Sequence, residues 1–148
     1  MNILHALLGE HGPLRHQLAA LRLAAPRLDD DQLRAATLGL AEAIESHAKL
    51  EDELLFVALA QSAAMPAGPV EAMRAEHDQI ETLLGHLLAP ASTPRRPDPH
   101  RTLARLAETV SNHFSHEEHV LFPLASSVLS GERLGELATI WAERRDVE

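Results

Sequence analysis

Histidine and glutamate, two residue types that bind metal ions, recur in this sequence at a constant offset of 66 positions. The offset relates three pairs of residues: His11 and His77, His47 and His113, and Glu51 and Glu117. Imidazole nitrogens together with carboxylate oxygens suit iron, manganese or zinc. One such residue alone would more often have an ordinary core or surface role, but six that share an offset indicate a common metal site.

In each half of the repeat a histidine precedes a glutamate by four positions, so both side chains project from one face of a helix. The two remaining histidines supply imidazoles from two further helices. Burying four imidazoles and two carboxylates without partners or cations would be strongly destabilising. The sequence therefore predicts two metal ions that both glutamates bridge. Two histidines would bind each ion: His11 and His47 at one, His77 and His113 at the other.

Four segments of the chain carry apolar residues at steps of three and four, the period of an α-helix. Each of the six histidine and glutamate residues falls on the apolar face of its segment, the face expected to point into the core. In the fourth segment this predicted core face comprises Leu103, Leu106, Val110, His113, Glu117, Val120 and Leu124. The pattern thus predicts four amphipathic helices that direct the six residues inward.

The same offset aligns apolar positions, so the chain divides into two related halves, residues 1–66 and 67–132, each predicted to be a helical hairpin. Two hairpins form a closed bundle. We therefore predict an all-α fold, an up-down-up-down four-helix bundle with a pseudo-twofold internal repeat. A short fifth helix is predicted over about residues 132–146, and residues 1–148 are predicted to form a single domain.

Composition and charge argue against several classes of function. The formal net charge of −9 and the lack of a basic patch argue against nucleic-acid binding. No apolar run approaches the roughly 20 residues that span a bilayer, so we expect no membrane association. The lack of cysteine excludes disulfides and cysteine-ligated clusters. Because the N-terminus also lacks a signal-peptide pattern, the expected location is cytoplasmic.

The six-residue pattern resembles that of a known family, the hemerythrin-like or HHE cation-binding domain. Two H-x-x-x-E pairs and two further histidines match that family in type and spacing. Residues 113–123, HFSHEEHVLFP, closely resemble the family's last metal-binding helix. The resemblance covers about residues 2–129 and leaves the predicted fifth helix outside.

The resemblance implies a non-haem di-iron centre. The cofactor would be two iron ions, Fe2+ or Fe3+, joined by an oxo or hydroxo bridge, with zinc or manganese as alternatives. Glu51 and Glu117 would be the bridging ligands and the four histidines the terminal ones. Members of the family carry, store or sense dioxygen, and others act on nitric oxide, peroxide or iron.

From this resemblance we expect a protein that binds dioxygen or nitric oxide for storage, delivery or sensing. Two alternatives stay open: a di-iron enzyme acting on peroxide or nitric oxide, and a metal-storage bundle. Reversible optical changes with oxygen would favour binding, steady turnover would favour an enzyme, and zinc occupancy would favour storage. The expected small ligand is therefore dioxygen, nitric oxide or peroxide, and the sequence indicates no particular protein partner.

Glu81 departs from the pattern of the oxygen-carrying hemerythrins, which resemble this chain but have a second histidine there, one turn after the helix-three ligand. Glu81 is therefore a candidate additional ligand. It could instead pair with Arg15, its counterpart in helix one at the 66-residue offset, and leave the metal more open. A third alternative is an ordinary solvated glutamate.

His116 and Pro13 also complicate the pattern. His116 breaks the repeat, since its counterpart is Leu50, and it is a candidate further ligand or a hydrogen-bond donor that supports one. Pro13 lies two positions after His11, and a proline inside a helix removes a backbone hydrogen bond. Helix one is therefore expected either to bend near His11 or to begin near Pro13.

Overall fold

The regular elements of the computed structural model, which describes residues 1–147, are all helices. Seven are α-helices: α1 (Ile3–Ala24), α2 (Asp30–Leu50), α3 (Val57–Ala60), α4 (Pro69–Leu88), α5 (Pro99–His116), α6 (Phe122–Val128) and α7 (Gly131–Arg144). A 3-10 turn, Ala25–Arg27, follows α1. Two π-helical segments complete the set: the first π segment, Glu51–Phe56, joins α2 to α3, and the second, Glu117–Leu121, joins α5 to α6.

Local sequence explains where the helices begin. Asp29 and Gln32 form a reciprocal capping box at the start of α2. Asp98 caps α5 through its side chain, and Pro99 occupies the first helical position, where no backbone donor is needed. Ser130 caps α7 in the same way as Asp98 caps α5. These contacts satisfy backbone N–H groups that a helix leaves free at its N-terminus.

The helices form a bundle in which α1 contacts α2, α5 and α7, while α4 contacts α2 and α5. Their buried apolar residues form two separate clusters. One includes Leu7, Leu55, Leu121 and Leu137, and the other includes Leu14, Ile44, Ile80 and Val110. Along each long helix, the predicted metal-binding residues lie between the two clusters. A buried polar layer therefore crosses the core, and α7 packs against α1 and the first π segment. No helix within residues 1–147 is long and apolar enough to cross a lipid bilayer.

The core face predicted for the fourth segment is wrong after Glu117, where the second π segment begins. Val120 was predicted to be buried, yet 56 % of its surface is exposed, and Leu121 and Phe122 are buried in its place. A π-helical turn holds one residue more than an α-helical turn, so inward positions after Glu117 come later than a strict helical period predicts. In the first half the equivalent position, Leu54, is buried together with Leu55 and Phe56, so the prediction fails there at no position.

Proline does not cause the π segments, and it does not begin helix one. The position equivalent to Pro123 in the first half is Val57, yet a π segment forms there as well. Helix α1 runs from Ile3 through Pro13, so the alternative that it begins near Pro13 is wrong. His11 therefore lies within a helix, inside the turn from Gly9 to Pro13 in which Pro13 cannot donate a backbone hydrogen bond.

Candidate metal centre

The six predicted ligands lie together in the polar layer, and all are buried. Glu51 and Glu117 have no exposed surface, and His77, at 8 %, is the most exposed of the six. Their donor atoms form two groups within which all atoms lie within 4.8 Å of one another. One group is His11, His47, Glu51 and Glu117; the other is Glu51, His77, His113 and Glu117. The two glutamates belong to both groups.

Each glutamate presents one oxygen to each group. For Glu51, Oε1 lies 3.1 Å from Nε2 of His47 and Oε2 lies 3.2 Å from Nε2 of His77. For Glu117, Oε2 lies 3.0 Å from Nε2 of His11 and Oε1 lies 2.5 Å from Nε2 of His113. Both carboxylates therefore span the two groups, an arrangement suited to bridging two ions.

The two glutamates are also the first residues of the two π segments. Each segment continues with a second acid, Asp52 in the first and Glu118 in the second. In both halves this second acid reaches a histidine on a different helix: Asp52 reaches His77 on α4, and Glu118 reaches His11 on α1. Short π-helical stretches often occur at functional sites. Here each one directs two neighbouring carboxylates to the centre from a single helix.

Every histidine of the centre has its outer nitrogen, Nδ1, hydrogen-bonded to a carboxylate. The four pairs and their distances are Glu118–His11 at 2.8 Å, Glu10–His47 at 2.6 Å, Asp52–His77 at 3.1 Å and Glu76–His113 at 2.7 Å. When Nδ1–H donates to a carboxylate, the lone pair of Nε2 is left facing inward, ready to bind a metal.

These four outer carboxylates were missed in the sequence, although a signal for them exists. Glu10 and Glu76 are related by the 66-residue offset, as are Asp52 and Glu118. Each also stands next to one of the six predicted ligands in the chain. An acid that repeats beside a repeating ligand is the pattern that could have identified them.

The donor atoms fit metal ions better than they fit one another. Nε2 of His77 and Nε2 of His113 lie 3.0 Å apart, and two inward lone pairs at that distance repel unless a cation or a proton lies between them. Two nitrogens at right angles around one ion, each about 2.1 Å from it, are about 3.0 Å apart. Six further buried atoms have no hydrogen-bond partner: Nε2 of His11, Nε2 of His47, and both carboxylate oxygens of Glu51 and Glu117.

Without metal, protons on the histidines balance the buried carboxylates. Burial lowers the pKa of His47, but the charge of Glu51 and the hydrogen bond to Glu10 outweigh burial and raise the pKa to about 10. Burial likewise lowers the pKa of His113, but the nearby carboxylates of Glu117, Glu51 and Glu76 raise it to about 11. Burial raises the pKa of Glu51, yet the histidines hold it well below its usual range. Metal ions would replace these protons, since only neutral imidazole is a ligand.

These shifts predict how the stability of the metal-free protein depends on pH. The stabilisation from protonated His47 and His113 is complete below their unfolded pKa of 6.5 and is lost as pH rises through about 10 and 11. The stabilisation from ionised Glu51 is present above 4.5 and is lost in acid. We expect the free energy of unfolding, measured by urea denaturation with a chelator present, to fall steadily from about pH 6.5 to about pH 10. The decline should be shallower in a His47→Gln variant, and a free energy that rises over this range would contradict the assignment.

The remaining candidates, Glu81 and His116, lie outside both groups of donor atoms found within residues 1–147. Glu81 is exposed and lines a cleft of about 360 Å³ beside His77. Arg15 pairs with Glu118 at 2.7 Å, so the predicted pairing of Arg15 with Glu81 is wrong. His116 is about half exposed, and its Nδ1 lies 2.6 Å from Oε1 of Glu76. It therefore supports the carboxylate that holds His113.

Residues 2–125 of this chain match the family model described as the hemerythrin HHE cation binding domain. The chain belongs to this family. That assignment covers all six buried donors and the four outer carboxylates, and it ends before α7. The histidines and glutamates of this hemerythrin-like domain are thus suited to holding a metal.

One similar protein is the iron-sulfur cluster repair protein YtfE of Cronobacter sakazakii (strain ATCC BAA-894). The two are 29 % identical over 148 residues, which include 87 % of this chain and 65 % of the relative. The chain thus spans about two thirds of that relative's length. No solved structure matches this chain.

Proposed function

We propose that this chain is a di-iron protein that binds dioxygen or nitric oxide for storage, delivery or sensing. Two iron ions would be held by His11, His47, Glu51, His77, His113 and Glu117. One observation carries the proposal: all four imidazoles have Nδ1 fixed by a carboxylate, while Nε2 of each faces two fully buried glutamates. Bound iron would supply one-electron redox chemistry and a coordination position for a diatomic ligand.

The chain's own contribution is to orient the ligands and to exclude water. Phe114 stacks on the His11 ring with centroids 4.0 Å apart and planes 7° from parallel. In the other half, Phe56 stacks on His77 at 5.3 Å. These rings, with the apolar clusters on either side, keep the carboxylates out of water. In a water-free environment the carboxylates attract cations more strongly. The four outer carboxylates prevent the imidazoles from rotating away.

The burial of the centre favours a very small ligand. Glu51 and Glu117 are inaccessible from outside, and His77 reaches the wall of a cleft. That cleft lies between α2 and α4 and has apolar residues, Ile44 and Ile80, among its lining residues. A diatomic molecule can pass a tightly packed wall during small fluctuations of the side chains, whereas a larger substrate would need the helices to separate.

The arrangement of the helices in this proposal is up-down-up-down for α1, α2, α4 and α5. The contacts of α1 with α2 and of α4 with α5 support it, because consecutive helices that pack together are usually antiparallel neighbours. In such a bundle each hairpin contributes two histidines and one bridging glutamate. That division also follows the 66-residue repeat.

A second candidate function is a part in the repair of iron–sulfur clusters. The similarity to YtfE, which is named for that activity, favours this candidate. In this case the centre would serve iron chemistry at a cluster rather than the binding of a gas. Comparing the chain with YtfE in an assay that follows the recovery of a damaged cluster would separate the two functions.

The proposed function is tested first by metal content and optical spectra after anaerobic purification. We expect two irons per chain, and a near-ultraviolet charge-transfer band that appears on exposure to air or nitric oxide. A His113→Ala variant should lose the band because one ion loses a ligand. The matched control is His86→Ala, which replaces an exposed histidine elsewhere in the bundle. Folded protein that stays metal-free after reconstitution with Fe2+ would refute the proposal.

A further inference from the structure

Helix α7 reaches the centre although it lies beyond residues 2–125, the part of the chain that matches the family model. Trp141, on α7, donates from Nε1 to Oε1 of Glu10 at 3.0 Å. Arg145, directly after α7, donates from Nε to Oε1 of Glu10 at 2.7 Å and from Nη2 to Oε2 at 3.1 Å. Glu10 is the carboxylate that holds Nδ1 of His47. The C-terminal helix is therefore linked to one imidazole of the centre by two successive hydrogen-bonded contacts.

Arg145 also fixes the helix that carries His47. Its Nη1 donates to Oγ of Ser46, the residue just before His47 on α2. One guanidinium thus joins Glu10 on α1 to Ser46 on α2. A planar guanidinium that contacts both oxygens of a carboxylate holds it in one orientation, which a single lysine ammonium could not do.

The related carboxylate in the other half, Glu76, lacks this support. Beyond His113, its hydrogen-bond partner is His116, whose side chain is 53 % exposed. Glu10, by contrast, receives three hydrogen bonds from Trp141 and Arg145, although the two carboxylates are similarly exposed, Glu10 at 18 % and Glu76 at 21 %. The pseudo-twofold symmetry of the six inner donors therefore does not extend to the residues that support them.

We propose that Trp141 and Arg145 are positioning residues that, through Glu10, make the ion bound by His11 and His47 the tighter of the two. The proposal rests on the two-ion centre proposed above. Residues that orient a metal-binding histidine typically change metal affinity by about 10–100-fold when they are replaced. The presence of Arg145 thus gives the two ions different affinities and different rates of exchange. Its removal should lower the affinity for one ion and leave the affinity for the other unchanged.

A titration of the metal-free protein with Co2+, followed by its visible absorption, tests this inference. The wild type should bind two ions in two resolved steps. In the Arg145→Gln variant the affinity of the tighter step should fall by about 10–100-fold, while the weaker step keeps its affinity. The two binding steps should then no longer be resolved in the titration. Trp141→Phe should act in the same direction by less, and Arg145→Lys should recover only part of the loss. The absorption of the first ion should change in all three variants.

Two control variants and the unmodified protein separate the outcomes. Arg144→Gln removes a different contact of α7, to exposed Glu53, and should leave both steps unchanged. His116→Gln loosens Glu76 and should weaken only the second step. Unaltered steps in Arg145→Gln, or an equal loss of both, would overturn the positioning role while leaving the centre intact. Wild-type protein that binds no Co2+ would instead refute the two-ion centre itself.

Discussion

We expect the replacement of Glu51 by alanine to abolish the binding of both of the proposed metal ions. Each oxygen of this carboxylate faces a different group of donors, so its loss removes a ligand from both ions at once. The variant also leaves histidines beside Glu117 that carry protons in place of metal. We expect metal content to fall from two ions per chain to nearly none, measured by elemental analysis after reconstitution with Fe2+. Removing one histidine should have a smaller effect, because it affects one ion directly.

Glu42→Ala is the control for this experiment, since Glu42 is an exposed glutamate of α2, the helix that leads into Glu51. It should bind two ions, and both variants should keep the helical circular dichroism of the wild type. The equivalent variant in the other half, Glu117→Ala, should behave like Glu51→Ala. A Glu51→Ala protein that retains one ion at full affinity would mean that the Glu51 carboxylate binds a single ion, and the bridging assignment would be wrong.

We expect removal of the proposed metal ions to lower the melting temperature of this protein by a large amount. An ion that binds only the folded state stabilises it by about 4 kcal/mol when its free concentration is about 1,000 times Kd. For a chain of this size, Tm changes by about 2–4 °C per kcal/mol. Two ions should therefore raise Tm by about 15–30 °C at such concentrations. Calorimetry of loaded and chelator-treated protein measures the difference.

The Glu51→Ala variant provides the control for metal removal. If the stabilisation comes from the centre, adding Fe2+ should leave the Tm of this variant unchanged, while it restores the Tm of the chelator-treated wild type. An identical Tm for loaded and metal-free wild type would show that the buried acids and imidazoles are equally stable without ions. That result would contradict the interpretation of the unpartnered carboxylate oxygens.

The limits of the sequence are clearest where contacts join distant residues. His47 meets Glu10, 37 positions away, and Trp141 meets the same carboxylate across 131 positions. Helical periodicity indicates which face a residue occupies, but not which acid on one helix will face which imidazole on another. That choice depends on the relative height and rotation of packed helices. For the same reason the pairing of Arg15 with Glu81 was one of three alternatives left open for Glu81, whereas Arg15 pairs with Glu118.

The π segments show a second limit. The α-helical period placed Val120 in the core, but the π turn that begins at Glu117 shifts the inward positions and leaves Val120 exposed. Nothing in the local sequence requires that turn, since Val57 and Pro123 occupy equivalent positions after the two segments. The turn forms where it brings two neighbouring acids to two different imidazoles, and that requirement exists only once the helices have packed.

By itself the sequence determined the helical class, the six inner histidines and glutamates, and the resemblance to the hemerythrin-like family. These follow from residue type and from spacings of four and 66 positions, which are local or repeated and survive without coordinates. Tertiary structure alone decided which outer carboxylate pairs with which imidazole, the shift in register at the second π segment, and the contact of Arg145 with Glu10. Hydrogen bonds between helices depend on ångström-scale positions in space, which no periodicity along one chain encodes.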